Sequence, residues 1–294
     1  LTATRRRGIL ARAQAAVSTI VYFSDIHIEI REKAGRLGWT DVVPLDLGPD
    51  LRDFAGKADL LVLAGDIGRM RSRRDVSTLR YAEQAARLLG CPAVVVPGNH
   101  EYYRGSFDEE RAALLAARAE GVTVLDRGAA RFALAGGTLR VLGATLWTDY
   151  AANGDAATAM RLAQEKIVDH HLITRPGGAP FLPQDALEEH RLSRAWLAAR
   201  LAEPHDGPTL VVTHHVPHSA ARHPGFGVTP LSPAFHSDCD ELVDAAARAR
   251  VAAWIFGHHH WSHELEVRGV RLASAQPGYP GEETGWRGPA VLSI

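Results

Sequence analysis

Five short polar islands concentrate carboxylate, amide and imidazole groups along the chain. They are Asp25-Ile26-His27, Gly65-Asp66, Gly98-Asn99-His100-Glu101, Thr213-His214-His215 and Gly257-His258-His259-His260. Each follows an apolar run, at 19–23, 60–64, 93–96, 209–212 and 252–256. A short apolar run bounded by turn residues reads as a buried strand. Asp, Asn and His are thus delivered repeatedly from strand C-terminal ends, the edge at which open α/β sheets bind ligands. Oxygen and imidazole donors without a thiolate suit hard-to-borderline divalent cations, and there are enough of them for two.

The residue types fit that chemistry. Two cations sharing one hydroxide need a carboxylate that can span both, plus neutral imidazoles that keep ligand charge low so the water acidifies. Asp25 and His27 are two apart where a strand ends, and His258 and His260 repeat that spacing after Gly257. Asp66 follows Gly65, which lets the backbone turn close to an ion, and Asn99 adds a neutral amide oxygen.

The chain that must position these groups has 294 residues and is 46% hydrophobic, enough to bury a full α/β core. A formal net charge of −1 gives no global field toward nucleic acid or an anionic membrane. Cys91 and Cys239 fall outside any metal or redox spacing and read as free thiols in a reducing cytoplasm. No apolar run approaches the ~18 residues of a membrane span. The first 16 residues carry four arginines and no acid. Residues 1–17 are expected to be a loosely ordered extension, and residues 18–294 a single domain.

Helices are expected at 75–90, at 106–119 with Ser106 and Glu109 forming a capping box, near 156–171, and at 185–202 and 238–249. A loop through Gly48-Pro49-Asp50 should precede a short helix. Segments 122–125, 130–135 and 138–143 alternate and read as a run of antiparallel strands. Residues 145–185 read as a rim or cap excursion over the sheet edge, and the tail gives strands near 263–267, 270–274 and 290–293. The β-α order in each half suggests two mixed sheets stacked with helices outside them.

The ordered series Asp25/His27, Gly65-Asp66, Gly98–Glu101, His214 and Gly257–His260 resembles the signature of the calcineurin-like metallophosphoesterase superfamily over residues 19–294. The GATLWTDY, THH-x-P and GYP-x-E stretches look like those of a group of bacterial members with undefined substrates. The resemblance implies a four-layer α/β/β/α sandwich of two mixed sheets. It implies one metal held by Asp25, His27, Asp66 and His260 and a second held by Asp66, Asn99, His214 and His258, with Asp66 bridging. His100 matches the family's catalytic histidine and would protonate the leaving group after in-line attack by the bridging hydroxide. Glu101 would orient His100 or a ligand. The imidazole-rich set favours two Mn, Fe or Zn ions over Mg. Pro277 stands before Gly278-Tyr279 where similar chains often carry an arginine, so that anion contact is missing.

Five residues beside these islands are candidate substrate contacts: Arg69, Tyr102, His215, His218 and His259. Arg69 opens the basic stretch 69–74, which is equally a solvated turn. The expected function is hydrolysis of a small phosphoester, a phosphodiester first. The alternatives on the same site are a phosphomonoesterase or protein phosphatase, and a nuclease for which nucleic acid would be substrate only. A non-catalytic scaffold is the third rival and is disfavoured by the complete ligand set.

Overall fold

The computed structural model describes residues 17–33, 51–71 and 75–294. Residues 1–16 of the extension expected at 1–17, the loop at 48–50 and residues 72–74 of the basic stretch lie outside the described residues.

One sheet is built from β1 (Thr19–Phe23), β2 (Leu60–Leu63), β5 (Ala93–Val95) and β6 (Val122–Val124), all parallel, with β13 (Ala290–Ser293) antiparallel beside β1. The second runs in the order β11 (His263–Val267), β12 (Val270–Ser274), β10 (Ala253–Ile255), β9 (Thr209–Thr213), β8 (Gly137–Ala144), β7 (Gly128–Leu134). Its four inner strands are parallel and its two edge strands antiparallel to their neighbours. A two-stranded ribbon, β3 (Met70–Arg71) with β4 (Asp75–Val76), leads into α2 (Ser77–Leu89).

The sheets face each other across one core. Ile20, Leu61 and Val95 of the first pack in the same apolar cluster as Val141, Leu210 and Ile255 of the second. Tyr81, Ala82, Ala85 and Leu89 bring α2 onto the outer face of the first sheet. Leu197 and Leu201 of α6 (Pro183–Leu201), with Leu242 and Val243 of α7 (Asp240–Arg248), cover the second. The layers are therefore α/β/β/α. Strands buried on both faces read as continuous apolar runs, which is why β1, β2 and β9 stand out in the sequence.

Three expectations need correction. Segment 122–125 is not part of an antiparallel run: β6 pairs parallel with β5 at a sheet edge, and only β7 and β8 form a hairpin. Alternation reports burial, not the partner. The 156–171 helix is two helices, α4 (Ala156–Lys166) and α5 (Asp169–Leu172), because Ile167 turns extended and ends the first. Ser106 precedes α3 (Phe107–Ala116) but makes no side-chain cap bond, and its hydroxyl is buried without a partner. The expected short helix after residue 50 is present as a 3-10 turn at Leu51–Phe54. The first helix, α1 (Ile28–Lys33), follows the first polar island directly.

Candidate metal centre

The C-terminal ends of β1, β2 and β5 and of β9 and β10 open onto one edge, and the five islands meet there. Asp66 Oδ2 is the meeting point, 4.0 Å from His27 Nε2, 3.4 Å from His214 Nε2 and 3.8 Å from His100 Nε2. On one side of it, His27 Nε2 lies 2.9 Å from His260 Nε2, and Asp25 Oδ1 lies 4.0 and 3.6 Å from those two nitrogens. On the other, His214 Nε2 lies 3.0 Å from Asn99 Oδ1 and 3.2 Å from His258 Nδ1. Two donor sets result, Asp25/His27/Asp66/His260 and Asp66/Asn99/His214/His258, with one carboxylate in common.

These sets fit divalent ions. Ligand atoms each ~2.1 Å from a shared ion lie about 3.0–3.5 Å apart when adjacent and up to about 4.2 Å apart across the ion, a range that takes in the 2.9–4.0 Å separations of these donors. Imidazole nitrogens facing one another at 2.9 and 3.2 Å beside buried carboxylates form a knot that can only be held by shared protons or by cations. The pulls on its protons conflict. Burial alone would raise the Asp66 carboxyl, but His214 and His100 hold it well below the usual range. Burial would lower His214, yet Asp66 lifts it to about 10, while burial and the His100 charge push His27 down to about 4. Metal ions displace such protons when they bind.

The backbone is shaped around the donors. Asp25, His27, Asp66, His258 and His260 all have φ between 47° and 77°, a left-handed conformation costing roughly 1–3 kcal/mol per residue in ordinary sequence. A Cβ on Gly98 would lie 2.1 Å from Asp66 Oδ1, and one on Gly257 2.6 Å from Asp25 Oδ2, so both positions require glycine. The His258 amide donates to Asp25, and the His100 amide donates to Asp66 Oδ1.

Partners behind the donors aim them. His214 Nδ1 donates to the Ala64 carbonyl at 2.9 Å, which turns Nε2 toward the cluster. His260 Nδ1 is paired with Glu282 at 2.6 Å. The Asn99 amide nitrogen donates to Asp169 at 2.8 Å, leaving the amide oxygen toward His214. Such outer contacts orient metal ligands and fix imidazole tautomers. His100 Nδ1 pairs with Glu29 at 2.8 Å, and its Nε2 faces the Tyr279 hydroxyl at 3.1 Å. Burial alone would strip the His100 proton, but Asp66 and Glu29 hold it, lifting the group to about 9.

Glu101 does not touch His100. Its carboxylate accepts from the Asp66, Ile67 and Gly98 amides and from the Thr78 hydroxyl, bracing the two turns that carry Asp66 and Asn99. The carboxylate that does hold His100 is Glu29, two residues beyond His27, where a D-x-H-x-E spacing was open to view. Asp169 carried no signal, since its role depends on α5 reaching over the sheet edge.

A cavity of about 760 Å³ opens from the cluster, lined by Asp66, Asn99, His100 and His258 together with segments at 166–169, 222–236 and 279–283. Of the candidate substrate contacts only His259 lines it. Tyr102 is corrected: it is fully buried against Phe107 and Trp147, and Tyr103 takes the cavity position instead. His215 is buried beneath His258, with ring centroids 4.1 Å apart and Nδ1 toward the Thr145 carbonyl. His218 pairs with Asp240 outside the cavity, and Arg69 does not line it. Cys91 and Cys239 are free, and no described helix is long and apolar enough to cross a membrane.

Residues 18–262 match the calcineurin-like phosphoesterase family. Among solved structures, the phosphopantetheinyl hydrolase PptH from Mycobacterium tuberculosis aligns with a TM-score of 0.65 at 19% identity, over 96% of this chain and 97% of that one. A dimetal phosphatase from Danio rerio aligns with a TM-score of 0.50 at 15% identity, over 93% and 91% of the two chains. The uncharacterized protein L509 of Acanthamoeba polyphaga mimivirus is 22% identical over 248 residues, covering 80% of this chain and 83% of that protein. At these identities the structural matches establish a shared fold.

Proposed function

The chain belongs to the calcineurin-like phosphoesterase family of metal-dependent phosphoester hydrolases, and from that premise we propose that it hydrolyses phosphodiesters at the Asp66-centred cluster. In this reading Asp25, His27, Asp66 and His260 hold one divalent ion and Asp66, Asn99, His214 and His258 the other. The observation that carries it is the position of Asp66 Oδ2 within 4.0 Å of His27 Nε2 and 3.4 Å of His214 Nε2, common to both donor sets. Ions bound there would supply positive charge to the phosphoryl oxygens and lower the pKa of the attacking water. The abundance of imidazole favours Mn, Fe or Zn.

The rest of the work falls to the chain. His100 keeps a proton between Glu29 and the cluster and passes it to the departing oxygen, a contribution of about 10²–10⁴-fold for a positioned acid. Glu29 fixes the ring so that Nε2 faces the site. Tyr279 stands over His27 and beside His100 Nε2, walling that side against water. A diester is favoured over a monoester because, among the described residues, the cavity sets Lys166 and Arg222 against Glu282 and Glu283, with no surplus of side-chain cations to clamp a dianionic phosphate. The free thiols fit a reducing compartment such as the cytoplasm.

The test is metal analysis joined to a screen. Protein loaded with Mn(II), Fe(II) or Zn(II) is expected to hold two ions and to turn over aryl diesters faster than aryl monoesters or cyclic phosphates. Faster monoester turnover would move the reading to a phosphomonoesterase. Salt-sensitive cleavage of oligonucleotides would move it to a nuclease.

A further inference from the structure

We propose that the cavity beside the donor cluster binds a large, uncharged, mainly apolar arm of the substrate, the ester group that stays on phosphorus, and that segment 222–236 selects it. The inference rests on the phosphodiester reading. A cavity of about 760 Å³ is in the range that holds a whole small ligand, far more than one phosphoryl group needs. Its apolar walls beyond the donors are Ile167 and Val168 from the α4–α5 junction and Phe226, Leu231 and Phe235 from segment 222–236. Phe226 is 69% exposed and Val168 48%, so apolar surface stands open at the mouth until a ligand covers it.

Several polar groups of the walls are already engaged within the protein. Asp169 is taken by Asn99 and Tyr103, and Glu282 by His260 and the Tyr279 amide. The Ser232 hydroxyl accepts from the Thr229 amide and meets the Thr229 hydroxyl. A second phosphate would face Glu282 and Glu283 as readily as Lys166 and Arg222. Apolar contact is what the walls offer.

Position identifies which ester group this is. His100, the proposed acid for the leaving oxygen, lies against His27 and Tyr103. Phe235 lies on the other side, 5.6 Å from the His258 ring and 6.1 Å from the His259 ring, and the His223 amide is bonded to His259 Nδ1. The apolar wall of segment 222–236 therefore flanks the group that does not depart.

The experiment compares p-nitrophenyl methyl phosphate with p-nitrophenyl hexyl phosphate on the full chain loaded with Mn(II). The leaving group is the same, so only the retained arm differs. Burial is worth about fourfold per methylene at most, and the hexyl ester is expected to exceed the methyl ester in kcat/KM by at least about tenfold. Phe226→Ala and Leu231→Ala should each cut that ratio by about threefold; Phe226 is exposed, so its truncation does not threaten the fold. A ratio near one, or a ratio undiminished in both variants, overturns the proposal. Calorimetric titration with methyl hexylphosphonate and methyl methylphosphonate, whose carbon-linked arm cannot depart from phosphorus, reads the arm by binding alone. Tighter hexyl binding with a more negative heat-capacity change supports it, and equal binding overturns it. Tighter hexyl binding without hydrolysis of either ester would leave the arm site standing and remove the phosphodiesterase reading. Hydrolysis without any chain-length effect would do the reverse.

Discussion

Glu29 Oε1 lies 2.8 Å from His100 Nδ1, and both side chains are buried. Burial would raise the Glu29 carboxyl, but the hydrogen bond from His100 and the neighbouring His27 ring bring it to about 2, so it is ionised at every working pH. An ionised carboxylate at Nδ1 raises the affinity of the ring for its proton. Glu29→Gln is expected to lower kcat about 10–100-fold. It should also move the alkaline limb of the pH–rate profile toward lower pH, because His100, held at about 9, then loses its proton sooner. An unmoved alkaline limb would show that Glu29 only packs against the ring.

His100→Ala is expected to keep both metal ions, since His100 belongs to neither donor set. Its activity loss should be greatest on substrates with poor leaving groups, which need the proton most. Equal losses on nitrophenyl and alkyl leaving groups would remove the acid role from His100.

Asp66→Ala should abolish binding of both ions, because one carboxylate oxygen is common to both sets. Elemental analysis after Mn(II) loading and desalting is expected to fall from two equivalents toward none. Retention of one full equivalent would mean that the two sets are independent.

Asp169→Ala leaves every proposed ligand in place and removes the carboxylate that holds the Asn99 amide. Affinity on the Asn99/His214 side should weaken about 10–100-fold while the Asp25/His27 side is retained. A titration isotherm that separates into a tight and a weak phase is the expected signature.

His190 provides a pH prediction remote from the cluster. Its Nδ1 donates to the Leu146 carbonyl at 3.1 Å, and burial pushes the imidazole down to about 4. The unfolded chain binds this proton near pH 6.5, so below that point protons favour unfolding. The contribution is complete above pH 6.5 and is lost as pH falls toward 4. Denaturant melts of His190→Gln should show lower stability at pH 7 and a shallower decline across that window than the unsubstituted chain.

The donors were legible because residue type and spacing coincide at strand ends: Asp25 and His27, or His258 and His260, need only a strand and a turn to be placed. The sandwich was legible for a related reason, since strands covered on both faces leave uninterrupted apolar runs. What escaped depends on approach between distant segments. Glu29 and Asp169 sit in short helices whose neighbours are set by the assembled fold. The pairing of β6 with β5 turns on which edge is free, and alternation does not encode that. Tyr102 and Tyr103 differ by one position in a 3-10 turn, and only the turn's orientation decides which ring meets the cavity and which joins Phe107.

Asp25, His27, Asp66 and Asn99 leave one sheet, and His214, His258 and His260 leave the other, so each donor set draws on both halves of the sandwich. A cation seated in either would act as a rivet across the seam. Withdrawing it would remove that link and leave the Asp25 and Asp66 carboxylates of one half crowded together without their counter-charge, and heat resistance should climb with free ion concentration by mass action. Catalytic competence and mechanical closure of the molecule would then rise and fall together.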